Sequence, residues 1–145
     1  MKHLVALAIL LGLSSVGFAQ TANARGNTTC AALPCVVASV SLTNQTTTVT
    51  LATLFTPAAD GLYRISVYMS TSPTKGSTWA YALLWTDDNK ARNSGRQQLS
   101  PGAFSSFNAP VRSLAGQSMS YSISAGQSIP PGASYNVFIT VEQLE

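Results

Sequence analysis

The strongest constraint on the fold of this chain is a strict two-residue alternation of apolar and polar side chains near its middle. The apolar phase consists of Tyr63, Ile65, Val67 and Met69. The opposite phase includes Arg64, Ser66 and Ser70. Because successive side chains of a β-strand point to opposite faces of a sheet, this period predicts a half-buried strand. Pro57, Asp60 and Gly61 precede it and are residue types that form tight reversals, so we expect a turn before the strand.

The same alternation recurs along the rest of the chain, and no helical period follows residue 19. The further alternating segments are 36–42, 46–55, 79–85, 118–124 and 135–142. In segment 46–55 the alternation predicts that Val49, Leu51 and Phe55 share one face. Pro101 and Pro110 interrupt the region between the third and fourth of these segments, where we expect short pieces. The pattern predicts an all-β fold for residues 36–145, an antiparallel β-sandwich of about seven to nine strands.

The first 19 residues have the organisation of a secretory signal peptide. Lys2 precedes an apolar run of ten residues at positions 4–13, and Gly17 and Ala19 supply small residues after it. A bilayer needs roughly 18 to 20 apolar residues, so this run is too short to span one. We predict that residues 1–19 are removed, with cleavage after Ala24 as the alternative, and that the mature chain has no membrane span. Export predicts a secreted protein at the cell surface or outside the cell, with the periplasm as the other compartment.

Removal of the signal peptide leaves few side chains that could carry catalysis. The single histidine, His3, is lost with it. The remaining acidic residues are Asp60, Asp87, Asp88, Glu142 and Glu145. Without histidine there is no Ser-His-Asp or Cys-His arrangement and no histidine metal ligand, so we predict no enzymatic activity, no cofactor and no metal. A carboxylate pair from distant strands is the alternative that stays open.

The net charge gives little reason to expect nucleic-acid binding. The formal charge of +3 falls to +2 when Lys2 is removed with the signal peptide. Nucleic-acid-binding domains are usually much more basic. We therefore predict no nucleic-acid partner.

Cys30 and Cys35 are the two cysteines of the chain, and they lie in the predicted N-terminal segment 20–35. Two cysteines in an exported chain most simply form one disulfide, and Pro34 helps to bend the short loop between them. A metal site would need more ligands, and a redox site usually has a Cys-x-x-Cys spacing. An intermolecular bridge is the minor alternative.

Two sets of aromatic residues are candidates for an interface or a ligand site. Trp79, Tyr81 and Trp85 share one face of a predicted strand, and the opposite face of that strand is also apolar. Such a strand is buried on both sides or offers one side to a partner. A row of aromatic rings can also stack on sugars, although burial in the core is the favoured interpretation. Phe138 lies on the polar side of the last predicted strand, which indicates a subunit contact.

Phe55, Gly61 and Tyr63, followed by Ile65 and Val67, form the pattern aromatic, five residues, then Gly-x-Tyr-x-apolar-x-apolar. This pattern resembles the signature turn and strand of C1q-type domains in the C1q/TNF-like jelly-roll superfamily. Residues 125–129 and 135–144 are similar to the penultimate loop and closing strand of that family, which usually has aromatic residues at the two apolar positions. The resemblance implies a jelly roll, usually a homotrimer, that binds or builds and does not catalyse.

Three functions follow from these observations. The first is a secreted C1q-like module that self-associates and binds through loops 72–78 and 87–95. The second is a subunit of an extracellular filament or matrix, in which residues 36–42 pair with the exposed edge of the next subunit. The third is a carbohydrate-binding module that stacks sugars on Trp79 or Trp85. The expected partners are further copies of the chain, with a glycan or a cell-surface component as the other candidates.

Overall fold

The computed structural model describes residues 30–126 and 128–145, and these residues form β-strands joined by turns and loops. The predicted signal peptide and residues 20–29 lie outside the described residues. The strands are β1 (Cys35–Gln45), β2 (Val49–Phe55), β3 (Gly61–Thr71), β4 (Trp79–Asp87), β5 (Lys90–Asn93), β6 (Gln97–Leu99), β7 (Phe104–Ser113), β8 (Met119–Ala125) and β9 (Tyr135–Gln143). The described part of the chain has no helix long and apolar enough to cross a membrane. The predicted all-β class is confirmed.

The strands form two antiparallel sheets with the strand order of a jelly roll. One sheet has the order β1-β9-β3-β7, and the other has the order β2-β8-β4-β5, with β6 also paired to β4. The chain therefore resembles one long hairpin that is folded over itself, because β4 pairs with β5 and β6, β3 with β7, β2 with β8, and β1 with β9. Pairing of β3 with β9 and of β4 with β8 completes the sheets. This arrangement confirms the predicted jelly-roll sandwich.

The side chains between the two sheets form one apolar core. The whole predicted apolar phase of β3 is buried there, namely Tyr63, Ile65, Val67 and Met69. The rings of Trp79 on β4 and Tyr135 on β9 meet in the core, with their centroids 4.6 Å apart. The strict alternation in β3 and β9 places every second side chain in this layer, so the opposite sides of these two strands form an outer face of the protein.

The edge strands β7 and β2 depart from the predicted pattern. β7 is a continuous strand of ten residues although it contains Pro110. Proline is tolerated there because β7 is the last strand of its sheet and one edge needs no ladder hydrogen bonds. In β2, irregularities in the pairing with β8 shift the alternation. Leu51, which we predicted to share a face with Val49 and Phe55, is 61% exposed, whereas those two pack against the core and Leu54 is buried at 2%.

The turn chemistry agrees with the sequence at the β4–β5 hairpin. Asp88 and Asn89 form the two-residue connection between Asp87 and Lys90, and their φ angles are +45° and +61°. Two consecutive positive φ angles match the type I′ turn, which suits the twist of a hairpin and favours asparagine and aspartate. The polar segment that follows β4 is thus a turn, as predicted.

A disulfide joins Cys30 to Cys35, as predicted. It links the first described residue to the first residue of β1, with the two Cα atoms 6.0 Å apart. Disulfides persist in oxidising environments, so the bond indicates such an environment for this chain.

Phe55, Gly61 and Tyr63 form one packing unit at the start of β3. The rings of Phe55 and Tyr63 lie 5.6 Å apart between centroids. A Cβ atom at Gly61 would lie 3.1 Å from a carbon of the Tyr63 ring and 3.1 Å from the carbonyl oxygen of Glu145. Position 61 therefore favours glycine, because the tyrosine ring and the end of the chain both pack closely against its backbone. Asp60 strengthens this corner by accepting a hydrogen bond from the Ala115 amide at 2.8 Å.

We expect the Gly61→Ala variant to lose about 1 to 2 kcal/mol of unfolding free energy, because an added methyl group must displace the Tyr63 ring and the C-terminal backbone. Ser106→Ala, at an exposed position of the neighbouring strand β7, is the control and should change the free energy by less than about 0.5 kcal/mol. Urea denaturation of both variants measures these values. Equal stability of the two variants would contradict the assigned packing.

Tyr135 should make stability depend on pH in the alkaline range. Its hydroxyl donates a hydrogen bond to the Thr47 carbonyl at 3.0 Å, and burial raises the pKa of Tyr135 from 10.0 to about 12. The unfolded chain loses this proton near its ordinary pKa and the folded chain retains it. The contribution of Tyr135 is therefore complete below about pH 10 and is lost as pH rises towards 12.

We expect Tyr135→Phe to cost about 1 kcal/mol of unfolding free energy near neutral pH, because the Thr47 carbonyl loses its donor. The difference in unfolding free energy between the variant and the wild type should shrink at about pH 11. At that pH ionisation of Tyr135 stabilises the unfolded wild-type chain, whereas the folded chain keeps this hydroxyl neutral. Urea denaturation at both pH values provides the comparison. A difference that is the same at both pH values would argue against the raised pKa.

Candidate interaction surface

Three aromatic side chains lie side by side on the outer face of the four-stranded sheet. Tyr68 on β3 is directly opposite Phe138 on β9, and Phe104 on β7 is opposite Ser70, two residues along the strand. The ring centroid of Tyr68 is 6.1 Å from that of Phe104 and 6.4 Å from that of Phe138. We call the outer side of this sheet, with these three rings at one end, the aromatic face.

The three rings are open to solvent. Phe104 is 71% exposed, Tyr68 is 43% exposed and Phe138 is 42% exposed. Single exposed apolar side chains are common on protein surfaces, but contiguous aromatic groups usually mark a contact site. Outward-facing positions on a sheet also contribute little to the core. The rings are thus placed where a partner could cover them.

Short uncharged side chains surround the three rings. Two hydrogen bonds hold some of them flat against the sheet: Asn108 donates to the Ser66 hydroxyl at 3.0 Å, and Asn136 donates to the Ser70 hydroxyl at 3.4 Å. The Oδ1 atom of Asn136 also accepts a hydrogen bond from the Asn44 amide at 2.8 Å. Because no long charged side chain stands among them, another surface can approach the sheet closely.

Charged groups lie at the far end of the aromatic face. Arg64 and Glu142 are direct neighbours across β3 and β9, and the Arg64 Nε atom donates to Glu142 Oε2. Four residues separate Arg64 from Tyr68, which corresponds to about 13 Å along a strand. The aromatic face thus has an uncharged aromatic end and a charged end, and protein interfaces commonly combine an apolar part with a polar part that stays solvated.

The sequence predicted one of these three aromatic residues. Phe138 was expected at the surface, and it is there. Tyr68 lies in the polar phase of β3, and this position alone marks it as an outward aromatic residue. Phe104 lies in the region that we expected to be irregular, so its face could not be assigned before the continuous strand β7 was known.

Trp79 and Tyr81 are not available at the surface. Each is only 1% exposed in the core, because both point inward from β4 between the two sheets. A sugar or a partner therefore cannot stack on them, which corrects their assignment as candidate contact residues and agrees with the favoured core interpretation. Trp85 is half-buried and packs against the edge of the core.

The acidic residues are dispersed among structural roles. Glu142 pairs with Arg64, and Asp60 binds the loop that follows β7. Asp87 and Asp88 lie at the β4–β5 hairpin, where Asp88 is 4.0 Å from Arg112. Among residues 30–126 and 128–145, no group of three or more histidine, cysteine or acidic side chains is arranged to hold a metal ion.

A shallow cleft of about 360 Å³ lies at the loop end of the sandwich. Gly76 and Thr78 line it from the predicted binding loop 72–78. Arg96 lines it from the connection between β5 and β6, and Gln98 lines it from β6. Gly126 is required beside it, because a Cβ atom there would lie 2.0 Å from the Thr78 hydroxyl. The cleft is open and has one charged side chain, so it is a less developed site than the aromatic face.

Comparison with known proteins does not assign a family. No protein-family model matches this chain, and no curated protein matches it. Among solved structures, it is similar to the CBM22-1 and GH10 modules of the N-terminal endo-1,4-beta-D-xylanase 10B of Clostridium thermocellum, complexed with xylohexaose. The sequence identity is 11% and the TM-score is 0.38, and the match covers 66% of this chain and 19% of that one. A similarity at this level carries no functional argument, so the C1q-type resemblance stays a prediction.

Proposed function

We propose that this protein is a secreted, non-enzymatic β-sandwich module that self-associates through its aromatic face, and that it acts in the structure of a cell surface or extracellular assembly. The observation that carries this proposal is the contiguous exposure of Phe104, Tyr68 and Phe138 on one flat sheet. The C1q-type resemblance favours three copies in the assembly.

The aromatic face is large enough for a stable protein contact. Four strands spaced about 4.8 Å apart and about 30 Å long give a surface of roughly 600 Å² on each subunit. Two such surfaces together bury about 1,200 Å², which is within the range of specific interfaces. Burial of the three rings supplies the aromatic anchors that dominate the energy of such contacts.

The composition of the aromatic face suits contact with another copy. The end that carries the three rings has no charged side chain, so two copies meet there without like-charge repulsion. The Arg64–Glu142 pair at the margin is neutral overall and can remain solvated there. The absence of histidine from the mature sequence and the dispersed acidic groups support a structural role in preference to catalysis.

We expect the double variant Phe104→Ser, Phe138→Ser to fold and to form a smaller assembly than the wild type. Both rings are substantially exposed in the isolated subunit, so their removal costs little core packing and removes the anchors of the contact. Light scattering coupled to size-exclusion chromatography of residues 20–145 gives the mass, and circular dichroism gives the fold.

The matched control is Leu84→Ser. Leu84 is 37% exposed on the outer face of the other sheet, so this variant also removes exposed apolar area. It should retain the wild-type mass. An unchanged mass for the double variant, or a wild type that is a monomer at every concentration tested, would refute self-association through the aromatic face.

Glycan binding at the same face is the second candidate. The rings of Tyr68 and Phe104 are inclined by only 23°, and the hydroxyl and amide groups of Ser70 and Asn136 lie beside them. Aromatic rings flanked by hydrogen-bonding groups can stack on and orient sugar rings. This site differs from the predicted sugar platform because it uses none of the tryptophan residues.

If the aromatic face binds glycans, Tyr68→Ala should weaken retention in affinity electrophoresis on a polysaccharide gel. The expected loss is about tenfold or more in affinity, because the central ring of the three is removed. Leu84→Ser again serves as the control and should migrate as the wild type does. Identical migration of wild type and Tyr68→Ala on every polysaccharide of the panel would leave self-association as the function of the face.

A further inference from the structure

Two neighbouring edge strands of the described structure carry no charged side chain. Residues 26–59 contain no lysine, arginine, histidine, aspartate or glutamate. This segment includes both β1 and β2, which lie at the ends of the two sheets. The two strands also contact each other across the sandwich. Both sheets therefore present an uncharged edge on the same side of the protein.

The edge strands on the opposite side of the sandwich carry residues that oppose pairing with another chain. Lys90 and Arg92 lie on β5, Arg96 precedes β6, and β7 contains Pro110 and Arg112. Basic side chains and proline on edge strands prevent edge-to-edge pairing with other chains. The contrast between the two sides indicates that pairing is blocked at β5, β6 and β7 and is permitted at β1 and β2.

β1 has the properties of a strand that can accept another strand. Its outer edge has no partner strand among the described residues, and its pairing with β9 is regular from Ala38 to Leu42. Irregularities bound this stretch on both sides. In an antiparallel sheet, alternate residues of an edge strand direct their N–H and C=O groups outward, so the stretch offers a short row of free hydrogen-bonding groups.

Apolar side chains lie beside this edge. Val36 at the start of β1 is 50% exposed. Phe138 of the aromatic face is directly opposite Ser41 of β1. A strand that pairs with β1 would therefore form backbone hydrogen bonds and also cover apolar surface next to the edge.

We propose that the outer edge of β1 pairs antiparallel with β1 of a second copy of this chain. A charge-free strand is suited to itself, because antiparallel self-pairing places residues of β1 opposite other residues of the same strand, where like charges would be destabilising. A charged partner strand would need complementary charges on β1, and β1 carries no charged side chain.

The pairing joins two four-stranded sheets into one sheet of eight strands. The aromatic faces of both copies then lie on the same side of the continuous sheet. The alternative function predicted from the sequence pairs residues 36–42 with the exposed edge of the next subunit. In the structure these residues pair with their own β9, so only the outer edge of β1 is available for such a contact. The edge contact is independent of the proposed contact between aromatic faces, and a subunit that has both contacts can form an extended assembly.

The experiment places two lysine residues on β1 and compares them with two on the opposite side. Ser41→Lys with Thr43→Lys alters exposed, outward-facing positions of β1. Ala91→Lys with Gln98→Lys adds the same charge at exposed positions of β5 and β6. Each pair is made in the Phe104→Ser, Phe138→Ser background, where the aromatic face no longer contributes, and masses are measured by sedimentation equilibrium on residues 20–145.

We expect the background variant to be a dimer. The lysine pair on β1 should raise its dimer dissociation constant by about tenfold or more, because like charges oppose each other across the pair. The lysine pair on β5 and β6 should leave the dissociation constant unchanged. A background variant that is a monomer would overturn the proposal, as would equal effects of the two lysine pairs. The proposal would also be overturned if the background variant dimerised only when residues 20–29 were deleted, because those residues would then occupy the outer edge of β1.

Hydrogen exchange by NMR provides a second measurement that does not depend on mass. In a free edge strand, alternate amides of residues 38–42 exchange rapidly, whereas those bonded to β9 are protected. Pairing with a second copy should protect all of these amides and should lose the extra protection on dilution or in the β1 lysine variant. Alternating protection at every concentration would refute the edge contact. Because the wild type and the aromatic-face variant are measured separately, failure of one contact is distinguishable from failure of the other.

Discussion

The pairing of β3 with both β7 and β9 is the interaction on which the rest of the structure depends. The pairing is continuous along both edges of β3, from Gly61 to Ser70 with β7 and from Tyr63 to Thr71 with β9. Because the pairing is regular, the side chains of β3 separate completely into a buried row and an outer row. The buried row supplies the centre of the core, and the outer row brings Tyr68 between two aromatic neighbours on adjacent strands.

The two proposed contacts use different physical properties of one sheet. The aromatic face offers side chains that lose exposed apolar area when they are covered. The β1 edge offers backbone groups that gain hydrogen bonds when a strand is added. Ser41 and Phe138 are adjacent in the register, so the two surfaces meet at the β1–β9 border. A variant at this border would affect both contacts, which is why lysine substitutions need the face-deficient background.

Periodicity made the fold predictable where strands are paired on both sides. Tyr63, Ile65, Val67 and Met69 were assigned correctly because a regular ladder preserves the period of two. Leu51 was assigned to the wrong face because bulges in an edge strand shift that period, and local sequence does not record them. β7 continues through Pro110 because β7 is an edge strand, and local sequence does not record that position in the sheet. The cluster of Tyr68, Phe104 and Phe138 required the strand order, which only long-range pairing defines.

The strand order also has a consequence for the order of events during folding. β1 and β2 pair with β9 and β8, so the charge-free segment 26–59 acquires its partners only after most of the remaining sequence has followed it. Jelly rolls are dominated by contacts between distant residues, and such contacts form slowly. During that interval two uncharged strand-forming segments are exposed without their final neighbours. Newly made chains are therefore most vulnerable to premature association through their N-terminal strands, and this vulnerability follows from the same absence of charge that suits those strands to self-pairing.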